Sequence, residues 1–387
     1  MKGLFIKYIY IFFFSVYTLK VLAQQFDEQN LKIEGTAWGK VIIADIDNDH
    51  DLDIFINGLK KNNTKTATFY LNNGNLNFAE INPLMPAVFR GDASWGDINN
   101  DGFPDIIYCG LDNDYKSRTV IYLNNGQKNF TYFKELDGII NGKIIVKDFN
   151  ADSKNDIFII GRTNKQREAI IYFSEERGFS KKILSFGSVL FPEVSAINFN
   201  GDSLPDLIVS GRSLSFGRFT KIYINKNNGN FELADITLPG FSKASISVYD
   251  LDNNGYEDFL ISGSTKKGTR SKLYMNAGGT LTLNASPLIG IYRGDNAFFD
   301  FNSDGRQDII ISGYNEEKPI TKLYINNGEN RFTDSNQLIE GVYDGNISTG
   351  DTDADGDVDF LINGRTKGNN YLLILYLNNH LKSTGNN

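Results

Sequence analysis

Residues 45–53 read DIDNDHDLD, with five Asp on alternate positions of a nine-residue stretch. Carboxylates this close repel one another unless a cation sits among them or water screens each one. A hard dication such as Ca²⁺ takes several oxygen ligands, and loops supply them from alternate positions. On that reading side chains come from positions 1, 3, 5 and 9, here Asp45, Asp47, Asp49 and Asp53. Position 7, Asp51, offers its backbone carbonyl. A solvated acidic turn explains a single stretch of this kind equally well.

The stretch is not single. DINNDGFPD begins at Asp97, DFNADSKND at Asp148, NFNGDSLPD at Asn198, DLDNNGYED at Asp250, DFNSDGRQD at Asp300 and DTDADGDVD at Asp351, at intervals of 50–52 residues. A merely solvated turn has no reason to recur so regularly. A repeat of this period means an array, a propeller or a solenoid, in place of the two or three domains that 387 residues would otherwise allow.

Each motif leads into a short apolar run ending in Gly: IFING, IIYCG, IFIIG, LIVSG, FLISG, IIISG and FLING. Runs of four or five residues rich in Ile, Leu, Val and Phe read as strands buried on both faces. After a polar loop comes a second run, built around Tyr70, Tyr122, Tyr172, Tyr223, Tyr274, Tyr324 and Tyr376. NNG or a relative usually follows, and Asn and Gly tolerate the positive φ of a hairpin turn. A third strand is marked by Phe78, Phe130, Phe179, Phe231, Leu281 and Phe332, and a fourth enters the next motif, as in KVIIAD and ASISVYD. Helix signals are almost absent. Four strands per repeat, seven times over, predict an all-β fold: a seven-bladed β-propeller of four-stranded antiparallel blades.

The last repeat lacks its Phe-marked strand. Phe26 stands 19 residues before Asp45, as Phe78 stands before Asp97 and Phe332 before Asp351. The N-terminal strand is therefore expected to complete the last blade, close the ring and leave no free sheet edge there.

Net charge is −8 with no basic run, which excludes nucleic acid as an expected partner. Cys109 is the only cysteine, so no disulfide forms within the chain; it ends the apolar run DIIYCG and is expected to be buried. Lys2 and Lys7 flank the start of an apolar stretch that closes on VLA, the pattern of a signal peptide over 1–23. That leaves a propeller over 24–381 and a short polar tail over 382–387. No later apolar run approaches membrane-spanning length. A secreted or cell-surface chain without a stable span is expected, and a monomer.

These repeats resemble the FG-GAP/VCBS repeats of integrin α-subunit propellers and of related secreted bacterial proteins. The pattern there, D-x-[DN]-x-[DN]-G-x-x-D, lies between the first two strands of a blade. The resemblance extends over about residues 26–381. It implies Ca²⁺, and adhesion, ligand binding or accessory roles beside enzymes more often than catalysis; fold alone does not settle function.

The pattern carries best onto four loops: Asp97, Asn99, Asp101 and Asp105; Asp250, Asp252, Asn254 and Asp258; Asp300, Asn302, Asp304 and Asp308; and Asp351, Asp353, Asp355 and Asp359. Their position-7 carbonyls belong to Phe103, Tyr256, Arg306 and Asp357, and each has Gly at position 6, where positive φ is cheap. The first loop has His50 there but the most carboxylates. The third, Asp148, Asn150, Asp152 and Asp156, has Ser153 there and Lys154 at position 7. The fourth, Asn198, Asn200, Asp202 and Asp206 with Leu204 at position 7, has Ser203 and two neutral Asn. Affinity follows ligand charge and rigidity, so the fourth loop is expected to be weakest and the third next; up to seven Ca²⁺ sites are possible and about five are expected.

Strand alternation puts these loops and the NNG turns on one face of the ring. The loops after each Gly, and the connections between blades, fall on the other. Those loops carry Lys and Arg in excess of acidic residues although the chain is acidic as a whole. A basic face attracts anionic partners, although solubility alone also explains lysine-rich loops. The densest cluster is Lys266, Lys267, Arg270 and Lys272, flanked by Arg218 and Lys221 in the preceding blade. It is the candidate ligand site, for a glycan or a cell-surface protein. RGD occurs at Arg90–Asp92 and Arg293–Asp295, but its Gly belongs to a repeat position that also holds Gly39, Gly142, Pro192, Ala244 and Gly345. That position is expected to lie near a crowded axis.

His50 and His380 are the only histidines, and no GxSxG, Walker or dinucleotide fingerprint occurs. The expected function is a secreted, calcium-binding propeller that serves as a binding or adhesion module. The alternative is a lyase-type enzyme, or an accessory subunit of one, acting on anionic polysaccharide through Lys, Arg and Tyr.

Overall fold

The computed structural model describes residues 26–379, apart from 82 and 216. The expected signal peptide at 1–23, the tail at 382–387 and His380 lie outside the described residues.

The described chain forms seven four-stranded antiparallel sheets and no helix. Each sheet is a blade. Blade 1 runs outward from the axis through Val41–Ala44, Asp53–Leu59, Lys65–Asn72 and Phe78–Ile81. Blades 2 to 7 follow in chain order, with second strands Asp105–Leu111, Asp156–Arg162, Asp206–Ser213, Asp258–Thr265, Asp308–Tyr314 and Asp359–Arg365. These strands are longer than the apolar runs that announce them. They begin at the ninth motif residue, whose buried carboxylate holds the backbone on either side, and they continue past the Gly.

Blade 7 takes three strands from the end of the chain, Tyr343–Gly350, Asp359–Arg365 and Tyr371–Asn378, and its outer strand, Phe26–Gln29, from the beginning. Phe26 stands opposite Asn378 and Gln29 opposite Leu375. The ring is closed as the spacing of Phe26 requires. Phe26 is buried edge-on against Phe301, Phe360 and Tyr376, at ring-centre distances of 6.1, 5.4 and 5.3 Å. Its repeat counterparts are not all alike: Phe332 is equally buried, whereas Phe78 is half-buried.

The core is distributed. Seven apolar clusters form, each shared by two neighbouring blades. One of them packs Leu361, Leu373 and Leu375 of blade 7 on Val41, Ile54 and Ile56 of blade 1, so the seam is sealed by packing as well as by hydrogen bonds. Full burial of one such side chain stabilises by about 1.5–3 kcal/mol. Cys109 is buried in the cluster between blades 2 and 3, and burial pushes its thiol pKa up.

An Asn at the end of the third strand fastens neighbouring blades. The Nδ2 groups of Asn124, Asn225, Asn276 and Asn378 donate to the carbonyls of Ile46, Phe149, Phe199 and Phe301, each the second motif residue of the preceding blade. Asn72 does the same across the seam, to Thr352.

Next to the axis the small residues are enforced by backbone contact. A Cβ on Gly91 would lie 1.7 Å from the carbonyl oxygen of Cys109, and one on Gly345 1.8 Å from that of Asn363. In blades 3 to 7 the inner strand carries a register shift at this point.

Candidate functional site

Each acidic loop bridges the first and second strands of its blade and is closed by its own carboxylates. Position 1 takes two backbone N–H groups. Gly102 donates to Asp97 Oδ2 at 2.9 Å and Asp101 to Asp97 Oδ1 at 3.1 Å; loops 5, 6 and 7 repeat this through Asp250, Asp300 and Asp351. Position 5 accepts the N–H of position 7, as in Phe103 to Asp101 at 2.9 Å. Positive φ recurs at position 6, at His50 and Ser153 as well as at the Gly residues, so those two substitutions leave the loop geometry in place.

Position 9 is fully buried in every blade: Asp53, Asp105, Asp156, Asp206, Asp258, Asp308 and Asp359. Each accepts the N–H of the second motif residue on one oxygen and an N–H of the third strand on the other. For Asp258 these come from Leu251 at 2.9 Å and Asn276 at 2.7 Å. Burial outweighs these bonds and pushes the carboxyl pKa up, to about 7 at Asp53 and Asp308 and about 6 at the other five. Nearby loop carboxylates push the same way. A hard dication placed among these carboxylates would offset their repulsion and favour the ionised form.

The donor sets fit one. Carboxylate oxygens of Asp45, Asp47 and Asp53 approach within 4.8 Å of one another, as do those of Asp250, Asp252 and Asp258 and those of Asp351, Asp353 and Asp355. Asp47 Oδ1 and Asn302 Oδ1 are buried position-3 oxygens without a hydrogen-bond partner. In loops 2, 3 and 4 the position-3 Asn oxygen instead accepts the N–H of position 5, from Asp101, Asp152 and Asp202. In the first loop Lys128, from blade 2, reaches Asp47 Oδ2 at 2.7 Å. In the sixth the Arg306 guanidinium binds Asp304 of its own loop. Both cations sit on carboxylates that a metal would use.

The fourth loop departs from the rest. Ser203 lacks the positive φ that the other loops have at position 6, and Asn198 Oδ1 accepts from Gly201 at 3.0 Å in place of the usual pair. In the third loop Lys154 N–H donates to Asp152 Oδ1 at 2.9 Å, the ordinary closure for that position.

On the opposite face, Arg218, Lys266, Lys267, Arg270 and Lys272 line one cleft of about 390 Å³ between blades 4 and 5. Pro239, Gly240 and Thr265 complete it, and no carboxylate does. Lys221 is not part of this lining; its ammonium lies over the Phe219 ring at 5.8 Å.

Sequence reasoning missed the axial mouth of the same face. Trp38, Arg90, Asn141, Phe191, Lys243, Arg293 and Asp344, one per blade, all have φ between 47 and 56°. Asn and Asp reach this region readily, but the other five residues are disfavoured there by about 1–2 kcal/mol each. Backbone bonds join neighbours: Trp38 N–H to the Asp344 carbonyl at 3.0 Å, and Asn141 N–H to that of Arg90 at 2.7 Å. The seven residues ring a cavity of about 220 Å³. Two residues further along the chain lie Lys40, Asp92, Lys143, Glu193 and Asp295, below the ring. Lys143 Nζ meets Glu193 Oε2 at 3.0 Å, and Lys40 Nζ meets Asp295 Oδ2 at 3.6 Å. Neither RGD is a presented loop. Asp92 accepts the Ile144 N–H at 3.0 Å, Asp295 accepts the Ser245 hydroxyl at 2.6 Å, and Arg293 is held by Asp344.

This architecture is a closed, seven-bladed β-propeller with an acidic loop on every blade. The sequence model of the FG-GAP-like repeat matches residues 45–108, 198–261 and 300–362. The chain is an FG-GAP-repeat propeller. No curated protein matches its sequence. Among solved structures it is similar to a mutant of AofleA from Arthrobotrys oligospora, at 13% identity and a TM-score of 0.51, over 81% of this chain and 90% of that one. A protein from Lactobacillus plantarum gives 14% identity and 0.51, over 79% and 85%. The biofilm matrix protein Bap1 of V. cholerae gives 11% and 0.46, over 92% and 89%. Likenesses at this identity speak to the fold alone. No helix among the described residues is long and apolar enough to cross a membrane.

Proposed function

We propose that this chain is an extracellular binding module whose fold is braced by Ca²⁺ and whose basic face holds an anionic glycan. The observation that carries the reading is the convergence of Arg218, Lys266, Lys267, Arg270 and Lys272 on one cleft without a carboxylate among them. Five cations from two blades form a surface that attracts carboxylate or sulfate groups spaced along a chain. A single exposed ion pair contributes only about 0–1 kcal/mol, so useful affinity requires several at once.

Ca²⁺ acts in this account as a brace. It joins two strands of a blade through one loop, on the face away from the ligand. Positions 1, 3, 5 and 9 of loops 1, 2, 5, 6 and 7 hold it best. The fourth loop, with neutral Asn198 and Asn200 and its altered turn, holds it least.

A panel of acidic and neutral polysaccharides, presented to the purified chain in millimolar Ca²⁺, tests the reading. Binding to acidic chains that weakens as salt rises is expected. The same incubation followed for chain shortening separates a module from a lyase. Shortened polymer would replace this reading with the enzymatic one.

A further inference from the structure

We propose that the axial mouth is a second ligand site, which holds the carboxylated terminal sugar of an acidic glycan. It rests on the reading of the ligand as an acidic glycan and adds where the end of that chain is held.

Two observations converge on it. The first is the backbone. Seven blades place one residue each in the left-handed region at the mouth, and five of these are Trp, Arg, Phe, Lys and Arg, not the Gly or Asn that the conformation favours. The bulge of the inner strand holds this conformation in blades 3 to 7, and residues so held cluster at ligand sites. The second is the chemistry aimed inward. Aromatic Trp38 and Phe191 stand three blades apart, and each is followed, one blade on, by a cation, Arg90 or Lys243. Neither Arg90 nor Lys243 makes an ion pair among the described residues. Arg90 lies over the Phe89 ring at 5.4 Å, and Lys243 over the Phe191 ring at 5.4 Å. The two acids at the mouth are already engaged, Asp344 by Arg293 and Arg365, and Glu193 by Lys143. The mouth therefore presents the half-buried Trp38 ring, which the Arg365 guanidinium meets at 5.0 Å, the exposed Phe191 ring and two cations without an acidic partner, around a cavity of about 220 Å³. Aromatic faces pack against the C–H faces of a sugar ring, and the cations take its carboxylate. The cavity admits one ring and not a length of chain, which points to a terminal residue.

Trp38 supplies the readout. It and Trp95 are the only tryptophans, and Trp95 is packed among Phe55, Phe69 and Phe130. Sodium glucuronate is titrated into the folded chain in millimolar Ca²⁺, with glucose as the uncharged control and sulfate as the sugar-free anion. A saturable change in tryptophan emission with glucuronate, absent with glucose and at least tenfold weaker with sulfate, is expected. Arg90→Ala and Lys243→Ala alter exposed side chains and should each weaken binding about tenfold with melting temperature unchanged. Trp38→Ala should abolish binding by calorimetry. No saturable response, an equal response to glucose or to sulfate, or an unchanged Kd in the Arg90→Ala/Lys243→Ala double variant overturns the proposal. Its failure is distinct from failure of the cleft: a chain with Lys266, Lys267 and Arg270 all changed to Glu should still titrate with glucuronate.

Discussion

Phe26 lies directly opposite Asn378 in the outer ladder of blade 7, so the first described strand and the last are partners in one sheet. Asn378 also donates from its backbone to Asp359 and from its side chain to the Phe301 carbonyl of blade 6. One residue thus joins the closing strand, the seventh acidic loop and the neighbouring blade.

Ring closure accordingly depends on Phe26. Truncating a buried Phe costs about 3–5 kcal/mol. Phe26→Ala should destabilise the fold by that amount, as much as Phe332→Ala and more than Phe78→Ala, whose ring is half-buried. Denaturant unfolding of the three variants checks the order. A negligible effect at Phe26 beside a large one at Phe332 means that the seam contributes little.

The acidic loops predict a metal-dependent melting temperature. A ligand that binds only the folded state at a hundred times its Kd stabilises by about 2.7 kcal/mol per site. With several loops filled, EDTA should lower the melting temperature by on the order of 10 °C or more relative to millimolar Ca²⁺. Coincident melts in the two conditions contradict a bracing role. Asp258→Asn, in a loop with Gly255 at position 6, should shrink the difference without removing it.

Glu193 gives a prediction of opposite sign to the usual carboxylate. Burial in the axial channel outweighs the attraction of Lys143, and the remaining neighbours Asp295 and Asp92 push the same way as burial, so its pKa is raised from 4.5 to about 7. Lys143 stays charged, because Glu193, Asp92 and Asp295 outweigh its own burial; Lys40 is turned to Asp295. The folded chain keeps the Glu193 proton where the unfolded chain has lost it. That contribution is complete below about pH 4.5 and is lost as pH rises to 7. Glu193→Gln should therefore match the parent near pH 5 and exceed it near pH 8 by on the order of 1–3 kcal/mol. A variant weaker than the parent at pH 8 means that the Lys143 pair, and not burial, governs the site.

The fold was legible because the chain states it seven times. Asp on alternate positions, Gly after each apolar run and Tyr at a fixed distance set strand order, turn positions and period, and Phe26 filled the one gap in the pattern. What stayed illegible has two physical sources. Contacts between blades join residues a repeat or more apart, so nothing in DIDNDHDLD signals that Lys128 covers Asp47. The Asn that follows the Tyr run in six of the seven repeats is visible as a repeat position, yet its bond to the preceding loop, made in five of them, depends on how blades stack. Backbone conformation is the other source. The small residue at Gly91 and Gly345 follows from crowding, but the left-handed residue just before it is a matter of backbone geometry, which in blades 3 to 7 is a bulge of the inner strand. Trp38 or Lys243 does not suggest positive φ by residue type.

The central claim, that ligand is held by the cations of the cleft between blades 4 and 5, is tested most directly by charge reversal. Binding of an acidic polysaccharide is measured on the parent chain and on one with Lys266, Lys267 and Arg270 all changed to Glu, at low and at high salt. The account predicts salt-sensitive binding by the parent, none by the variant, and the same Ca²⁺-dependent melting in both. Undiminished binding by the variant, or binding indifferent to salt, contradicts it.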